Sequence, residues 1–168
     1  MPKVSHRDSL TGMGVQDMPM QWTIKEVLNR AIQKETQARL LYLNLSSRVK
    51  DKAVSKALHD MAQVEQGHRE HLESYLRGDI KVGGLKTGQV VDLKIAEDEG
   101  QPTPTDDMSV ADVLLMAASW ERDANKFYLE LAEIHPPGEV RTLLEELALQ
   151  ELEHKHHVET LYKQLKTA

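Results

Sequence analysis

The sequence predicts an all-α protein, a four-helix bundle built from two helical hairpins. Apolar residues recur every three or four positions in two long segments, and a stretch rich in glycine and proline separates these segments. The two segments also match each other at a constant spacing. The chain has 168 residues, which is enough for one domain with a buried core.

The first hairpin is expected to begin near Thr23. Thr23 and Glu26 form a capping box, in which the hydroxyl and the carboxylate bind backbone N–H groups that have no partner at a helix start. We therefore expect the first helix at about residues 23–47. The polar stretch SSRVKD can hold a turn, and the second helix is expected at about residues 51–77, where Gly78 ends the apolar pattern.

The second hairpin follows a long connection. Glycines and prolines divide residues 78–108 into short pieces such as QVVDLKI, so we expect a crossover without helix there. Ser109 and Asp112 then repeat the capping box, which predicts a third helix at about residues 109–134. The sequence HPPG breaks it, and a fourth helix is expected at about residues 138–166.

The two hairpins are related by an offset of 86 residues. Over residues 23–77, 15 of 55 positions are identical to the residue 86 positions later. Any duplicated hairpin would keep its caps and its core leucines, but this repeat also keeps polar residues. They include Glu35 with Glu121, Glu65 with Glu151, and His68 with His154.

The four repeated glutamates are expected to point into the core. Glu65 lies in phase with an apolar stripe, because seven residues make nearly two helical turns. That stripe consists of Leu58, Leu72 and Leu76. Buried carboxylates without a counter-charge are costly, and the lysines and arginines fall mainly on other faces. We therefore expect two metal ions, since one Glu from each of two helices and Glu-x-x-His from each of the other two form a di-metal site in bundles.

Four segments carry a resemblance to a known family. AIQKETQARLLYLNLS with MAQVEQGH, and AASWERDANKFYLELA with LALQELEH, resemble the ferritin-like di-iron family, most closely its rubrerythrin-type branch. The resemblance covers about residues 22–77 and 109–165, and it implies a ferritin-like bundle that holds two iron ions. It also implies terminal ligands at Glu35 and Glu121, bridging ligands at Glu65 and Glu151, and one nitrogen ligand each from His68 and His154. Zinc or manganese would accept the same ligands.

The chain departs from the rubrerythrin pattern in two ways. Rubrerythrins carry a further glutamate where this chain has Ala124, and they carry a four-cysteine rubredoxin-like iron domain. This chain contains no cysteine, which excludes such a centre together with thiolate zinc sites and disulfides. An external electron donor is therefore expected.

The polar residues near the ligands have other expected roles. Tyr42 and Tyr128 lie on the ligand stripe, where each is a candidate hydrogen-bond donor to the ligands or a radical relay. A structural core tyrosine whose hydroxyl has a hydrogen-bond partner is favoured. The remaining residues are expected at the boundary or the surface: His71, His157, and a second Glu-x-x-His formed by Glu153 and His156, which has no counterpart in the first hairpin.

Composition limits the partners and the location. The formal charge of -6 does not favour nucleic acid or an anionic membrane as a partner. The sequence shows no signal-peptide pattern and no long apolar run, so a cytoplasmic location is expected. Residues 1–21, which are rich in methionine, are expected to form a mobile tail.

The expected function is that of a di-iron oxidoreductase that reduces hydrogen peroxide or dioxygen, and a homodimer is expected. The main alternative is an iron-binding protein without catalytic turnover, or a ferroxidase that handles iron. Two further alternatives are an oxygenase with its substrate inside the bundle and a metal-free structural bundle. The four buried carboxylates disfavour the last of these.

Overall fold

The computed structural model describes residues 21–83 and 89–168, which contain five helices and no strand. The helices are α1 (Ile24–Arg48), α2 (Lys52–Arg77), α3 (Ile95–Glu99), α4 (Val110–Ile134) and α5 (Glu139–Thr167). The prediction of an all-α bundle of two hairpins is confirmed. Except for Gln21, the tail predicted at residues 1–21 lies outside the described residues.

The long helices begin and end where the local sequence signals lie. The Thr23 hydroxyl accepts a hydrogen bond from the Glu26 N–H at 3.2 Å, and the Glu26 carboxylate accepts one from the Thr23 N–H at 2.7 Å. Ser109 and Asp112 form the same capping box at the start of α4. Gly78 ends α2 in the left-handed conformation, with φ at 83°, which glycine adopts without strain.

The crossover contains a short helix, so the prediction that residues 78–108 contain no helix is wrong at α3. This single turn begins after Lys94 without a side-chain cap. Tertiary contacts hold it instead, because the Ala96 N–H donates to Glu159 Oε1 at 3.0 Å and Arg122 Nη1 donates to the Ala96 carbonyl at 3.2 Å. Contacts of this kind leave no local signal in the sequence.

A buried ion-pair cluster ties the crossover to α5. The Lys155 side chain is 1% exposed, and its Nζ lies 2.5 Å from Asp92 Oδ1, 2.9 Å from Glu97 Oε2 and 3.1 Å from Glu159 Oε1. Two of these carboxylates come from the crossover and one from α5. Lys155 lies one turn after Glu151 on the same buried face of α5, so the expectation that the lysines fall on other faces is wrong at this residue. Its charge is balanced by these three carboxylates and not by the four core glutamates.

The core consists of two apolar clusters with a polar layer between them. The hairpins meet where α2 packs on α4 and α1 packs on α5. On α1, Ala31 belongs to one cluster and Tyr42 to the other, and the buried Glu35 lies between them. The helices α2, α4 and α5 show the same arrangement around their own buried glutamate. Four carboxylates thus share one layer of the bundle.

One residue of the predicted apolar stripe on α2 is not buried. Leu58 and Leu72 are buried as expected, but Leu76 is 39% exposed. Tyr75 takes the core position in this last turn of α2 and is 5% exposed. The stripe therefore shifts by one residue at the helix end.

Among the described residues, no helix is long and apolar enough to cross a bilayer. The cytoplasmic location stays a prediction.

Candidate metal centre

Six of the repeated polar residues lie together in the polar layer. The four long helices each contribute one glutamate, and each of these residues is at most 6% exposed. The α2 and α5 helices each add a half-buried histidine one turn after the glutamate. The set is Glu35 on α1, Glu65 and His68 on α2, Glu121 on α4, and Glu151 and His154 on α5. Their role as metal ligands stays a prediction.

The first hairpin supplies one group of three candidate ligands. His68 Nδ1 lies 3.3 Å from Glu35 Oε2 and 3.4 Å from Glu65 Oε2. One candidate ligand atom from each of these residues lies within 4.8 Å of the other two. A single ion placed among them could contact all three residues.

The second hairpin supplies the matching group in a looser arrangement. His154 Nδ1 lies 3.8 Å from Glu121 Oε2 and 3.9 Å from Glu151 Oε2, which is too long for hydrogen bonds. This nitrogen is buried and has no hydrogen-bond partner among the described residues. A buried imidazole nitrogen without a partner is costly, and a metal ion would satisfy it.

The two histidines bring the two groups into contact. Their rings stack with centroids 3.4 Å apart and planes 5° apart. Candidate ligand atoms of His68, His154 and Glu121 also lie within 4.8 Å of one another. The two ligand groups are therefore adjacent, as a two-ion centre requires.

The carboxylates need positive charge in this layer. Burial raises the pKa of Glu35 to about 8. Burial, together with the Glu151 carboxylate, raises the pKa of Glu121 well above its ordinary value. Within the described ranges, the ion pairs of all four glutamates are with His68 or His154, and none is with lysine or arginine.

The histidines supply part of this charge. Burial by itself would lower the pKa of His68, but the carboxylates of Glu35 and Glu65 raise it to about 9. Burial also opposes ionisation of Glu151, but the imidazole of His154 lowers the pKa of that carboxyl. In the metal-free protein, bound protons therefore reduce the negative charge of this buried layer. Metal ions that bind there would displace these protons.

Both predicted tyrosines are buried beside this layer. Burial raises the pKa of Tyr42 and of Tyr128 well above the ordinary value, and the ligand carboxylates add to the effect. The Tyr42 ring packs on the Trp120 ring with centroids 4.9 Å apart. The Tyr128 hydroxyl has no hydrogen-bond partner in the described part of the chain, so the expectation of a satisfied hydroxyl is wrong for this residue. A relay role for either residue stays a prediction.

The other histidines and Glu153 do not join the ligand groups. Glu153 and His157 are exposed. A ring nitrogen of His156 lies 2.7 Å from the Val91 carbonyl, so this ring contacts the crossover. His71 is half-buried, and its ring meets the Tyr75 ring edge-on at 5.6 Å.

Two grooves, which the sequence analysis did not predict, reach the polar layer from opposite sides. The groove between α1 and α4 has a volume of about 260 Å³ and is lined by all four glutamates and by Ala38 and Ala124. The groove between α2 and α5 has a volume of about 200 Å³ and is lined by His68, His154 and His71. The sequence contains one indication of the first groove, because the small residues Ala38 and Ala124 occupy matching positions of the repeat.

The donor set fits a pair of metal ions. Carboxylates are hard anionic ligands, and imidazole suits iron, zinc and other transition metals. Two ions would also give the buried carboxylates their missing counter-charge and the His154 nitrogen its missing partner. The fold and the site thus define a four-helix bundle with a carboxylate and histidine site for metal.

Comparison with known proteins identifies the family to which this bundle belongs. The model of the rubrerythrin family matches residues 26–87 and 112–168, so the chain belongs to the rubrerythrin family. This result confirms the resemblance seen in the sequence, the ferritin-like fold and the class of di-iron ferritin-like proteins.

The other comparisons add little to this assignment. None of the curated proteins compared with this chain matches it. A solved structure of a hypothetical protein from Pyrococcus furiosus is 24% identical, covers 87% of this chain and 92% of its own, and has a TM-score of 0.46.

Proposed function

We propose that this protein is a di-iron oxidoreductase that reduces hydrogen peroxide or dioxygen with electrons from an external donor. The observation that supports this most is the convergence of four buried carboxylates and two imidazoles from both hairpins in one layer. Two ferrous ions, when bound there, would supply one electron each, so that an O–O bond is reduced by two electrons.

The residues of the chain hold and neutralise such a pair of ions. Four carboxylates formally balance the four positive charges of two divalent ions, and carboxylate oxygen suits both ferrous and ferric iron. The two stacked imidazoles lie towards the α2–α5 groove, whereas all four carboxylates line the α1–α4 groove. A small oxidant therefore has a path to the carboxylate side of the layer.

The ligand assignment is tested by metal content. Glu65→Ala and His154→Ala should each lose the second metal equivalent, because each removes a ligand from the buried layer. Glu153→Ala is the matched control, since this exposed glutamate lies on the same helix as His154 but outside the site. Elemental analysis of protein purified anaerobically from iron-fed cells gives the result. Equal metal loss in all three variants would refute the assignment.

The oxidant is tested with the ferrous protein. Stopped-flow mixing with hydrogen peroxide, and separately with dioxygen, gives the two oxidation rates. Much faster oxidation by peroxide supports a peroxidase that takes electrons from a donor protein. Faster oxidation by dioxygen favours iron handling or oxygenation, and a purified protein with another metal and no iron would overturn the di-iron proposal.

The second candidate is an iron-handling protein that binds iron or acts as a ferroxidase. The four glutamates at the bottom of the α1–α4 groove, called its floor below, favour the iron-handling function. Buried carboxylates that face an open groove attract incoming cations. A single turnover with dioxygen that added reductants do not extend would support this function.

The predictions about association also need measurement. We propose a homodimer without nucleic-acid or membrane partners. Light scattering during size-exclusion chromatography, which gives the molar mass in solution, would contradict the dimer if it returned the mass of one chain, 19.0 kDa.

A further inference from the structure

The groove between α1 and α4 is larger than dioxygen or hydrogen peroxide needs. Its volume is about 260 Å³. A cavity of about 150 Å³ is large enough to bind benzene. The groove therefore has room for an organic molecule directly beside the polar layer.

Two contacts between α1 and α4 mark the ends of this groove. Near one end, Lys34 Nζ lies 4.7 Å from the centre of the Phe127 ring. Near the other end, the Tyr42 and Trp120 rings pack with centroids 4.9 Å apart. These two contacts bound the groove along the helix axes, and between them it opens to solvent.

Two alanines keep the space between these contacts open. Ala38 lies between Lys34 and Tyr42 on α1, and Ala124 lies between Trp120 and Phe127 on α4. Both side chains end at Cβ, so neither fills the gap between the helices. Each alanine lies one turn after a ligand glutamate, so the space directly adjoins the candidate metal ligands.

The lining favours an uncharged ligand with an apolar body. The walls include the Trp120 indole and Leu41 in addition to the alanines. The four carboxylates of the floor would be balanced by two divalent ions, so the loaded floor has no formal net charge. Lys34 and Asp123 also line the groove with opposite charges. Because these two charges also cancel, an ionic ligand would lose hydration in the groove and gain no net attraction from its lining.

We propose that this groove binds a small uncharged organic molecule of about six to ten heavy atoms next to the metal centre. Ala38 and Ala124 set the size limit of the site, and the Trp120 indole provides an apolar wall. This inference goes beyond reduction of peroxide or dioxygen, and it does not depend on which oxidant the centre uses.

Benzyl alcohol is a suitable probe, because it is uncharged and has eight heavy atoms. The protein has two tryptophans, so its NMR spectrum contains two indole N–H signals, and Trp22→Phe identifies the signal of Trp120. Titration of benzyl alcohol into zinc-loaded protein should shift the Trp120 signal until it saturates. Zinc is redox-inactive, so the result is independent of any oxidation assay.

Filling each groove in turn tests which of the two grooves binds benzyl alcohol. Ala124→Leu should raise the Kd for benzyl alcohol by about tenfold or more, because added methylene groups in a pocket of this kind exclude ligand. Gly67→Leu is the matched control, since Gly67 lines the α2–α5 groove and a Cβ added there meets no atom within 4 Å. It should change the Kd by less than about twofold.

Zinc content and helical circular dichroism are measured for each variant. Should Ala124→Leu fail to fold or to bind zinc, Ala38→Leu tests the opposite wall of the same groove, where the residue is half-exposed. A Trp120 signal that does not saturate in the parent protein overturns the proposal. So does an equal rise in Kd for the fillings of both grooves.

Discussion

Replacing Lys155 with methionine should destabilise the fold strongly, because it would leave a buried carboxylate without its counter-charge. Lys155 is paired with three carboxylates. The side chains of Asp92 and Glu97 are 32% and 35% exposed and can turn to water. Glu159 is fully buried, with Oε1 bonded to the Ala96 N–H and Oε2 without a hydrogen-bond partner in the described part of the chain.

The size of the effect follows from this difference in exposure. Breaking a buried ion pair by removing one partner costs about 3–5 kcal/mol. We expect the lower end, about 3 kcal/mol, because Glu159 keeps one hydrogen bond and methionine fills most of the lysine volume. With a urea dependence of about 1–3 kcal/mol per molar, the unfolding midpoint should fall by about 1 to 3 M.

The internal repeat provides the control. Arg69 occupies the position of Lys155 in the first hairpin and pairs with Glu73 at 2.9 Å, but these side chains are 35% and 32% exposed. Arg69→Met should therefore cost at most about 1 kcal/mol. The double variant Lys155→Met with Glu159→Gln should recover most of the loss, since the amide oxygen still accepts from the Ala96 N–H without carrying charge.

Urea unfolding followed by circular dichroism measures these differences. Metal-free protein is used for every variant, because bound metal adds its own stabilisation. If Lys155→Met and Arg69→Met shift the midpoint equally, burial does not determine how much an ion pair contributes to the free energy of unfolding, and the prediction is refuted. If the double variant is no more stable than Lys155→Met, a stranded charge on Glu159 is not the cause.

Two further predictions concern the metal centre. Zinc binding at pH 7 should release the protons held by Glu35 and His68, whose pKa values are raised to about 8 and about 9, and release should be much smaller at pH 9.5. Calorimetry in buffers of different ionisation enthalpy measures the number, and equal release at both pH values would contradict the assignment. Tyr128→Phe removes a buried hydroxyl that has no partner among the described residues, so the metal-free protein should keep its stability or gain up to about 1 kcal/mol in urea unfolding. A clear loss would mean that the hydroxyl does have a partner.

Features that depend on neighbours in the sequence were predictable. The capping boxes at Thr23 and Ser109 place the starts of α1 and α4, because the hydroxyl and carboxylate act on backbone groups of the same turn. The three-and-four spacing of apolar residues places Glu65 on the buried face of α2 for the same local reason. The exception at Leu76 lies in the last turn of α2, where a neighbouring tyrosine takes the core position.

Features that depend on distant residues were not predictable in this way. The α3 turn is held by Arg122 and Glu159, which lie in other helices. The repeat shows that Ala38 and Ala124 correspond, but whether two alanines leave a groove depends on how far apart the helices pack. Contacts at the two ends of that groove hold α1 and α4 together there, and none of these contacts has a local signal.

Which residues turn inward, and which are repeated, follows from the order of amino acids along the chain. Helical periodicity and internal duplication are visible in the amino-acid sequence, so they identify six candidate ligands without a structure. The tertiary structure alone decided how these ligands meet: the stacking of His68 on His154, the buried cluster around Lys155, and the two grooves that reach the centre. These features depend on the separation and rotation of packed helices, which are set by all side chains between them together.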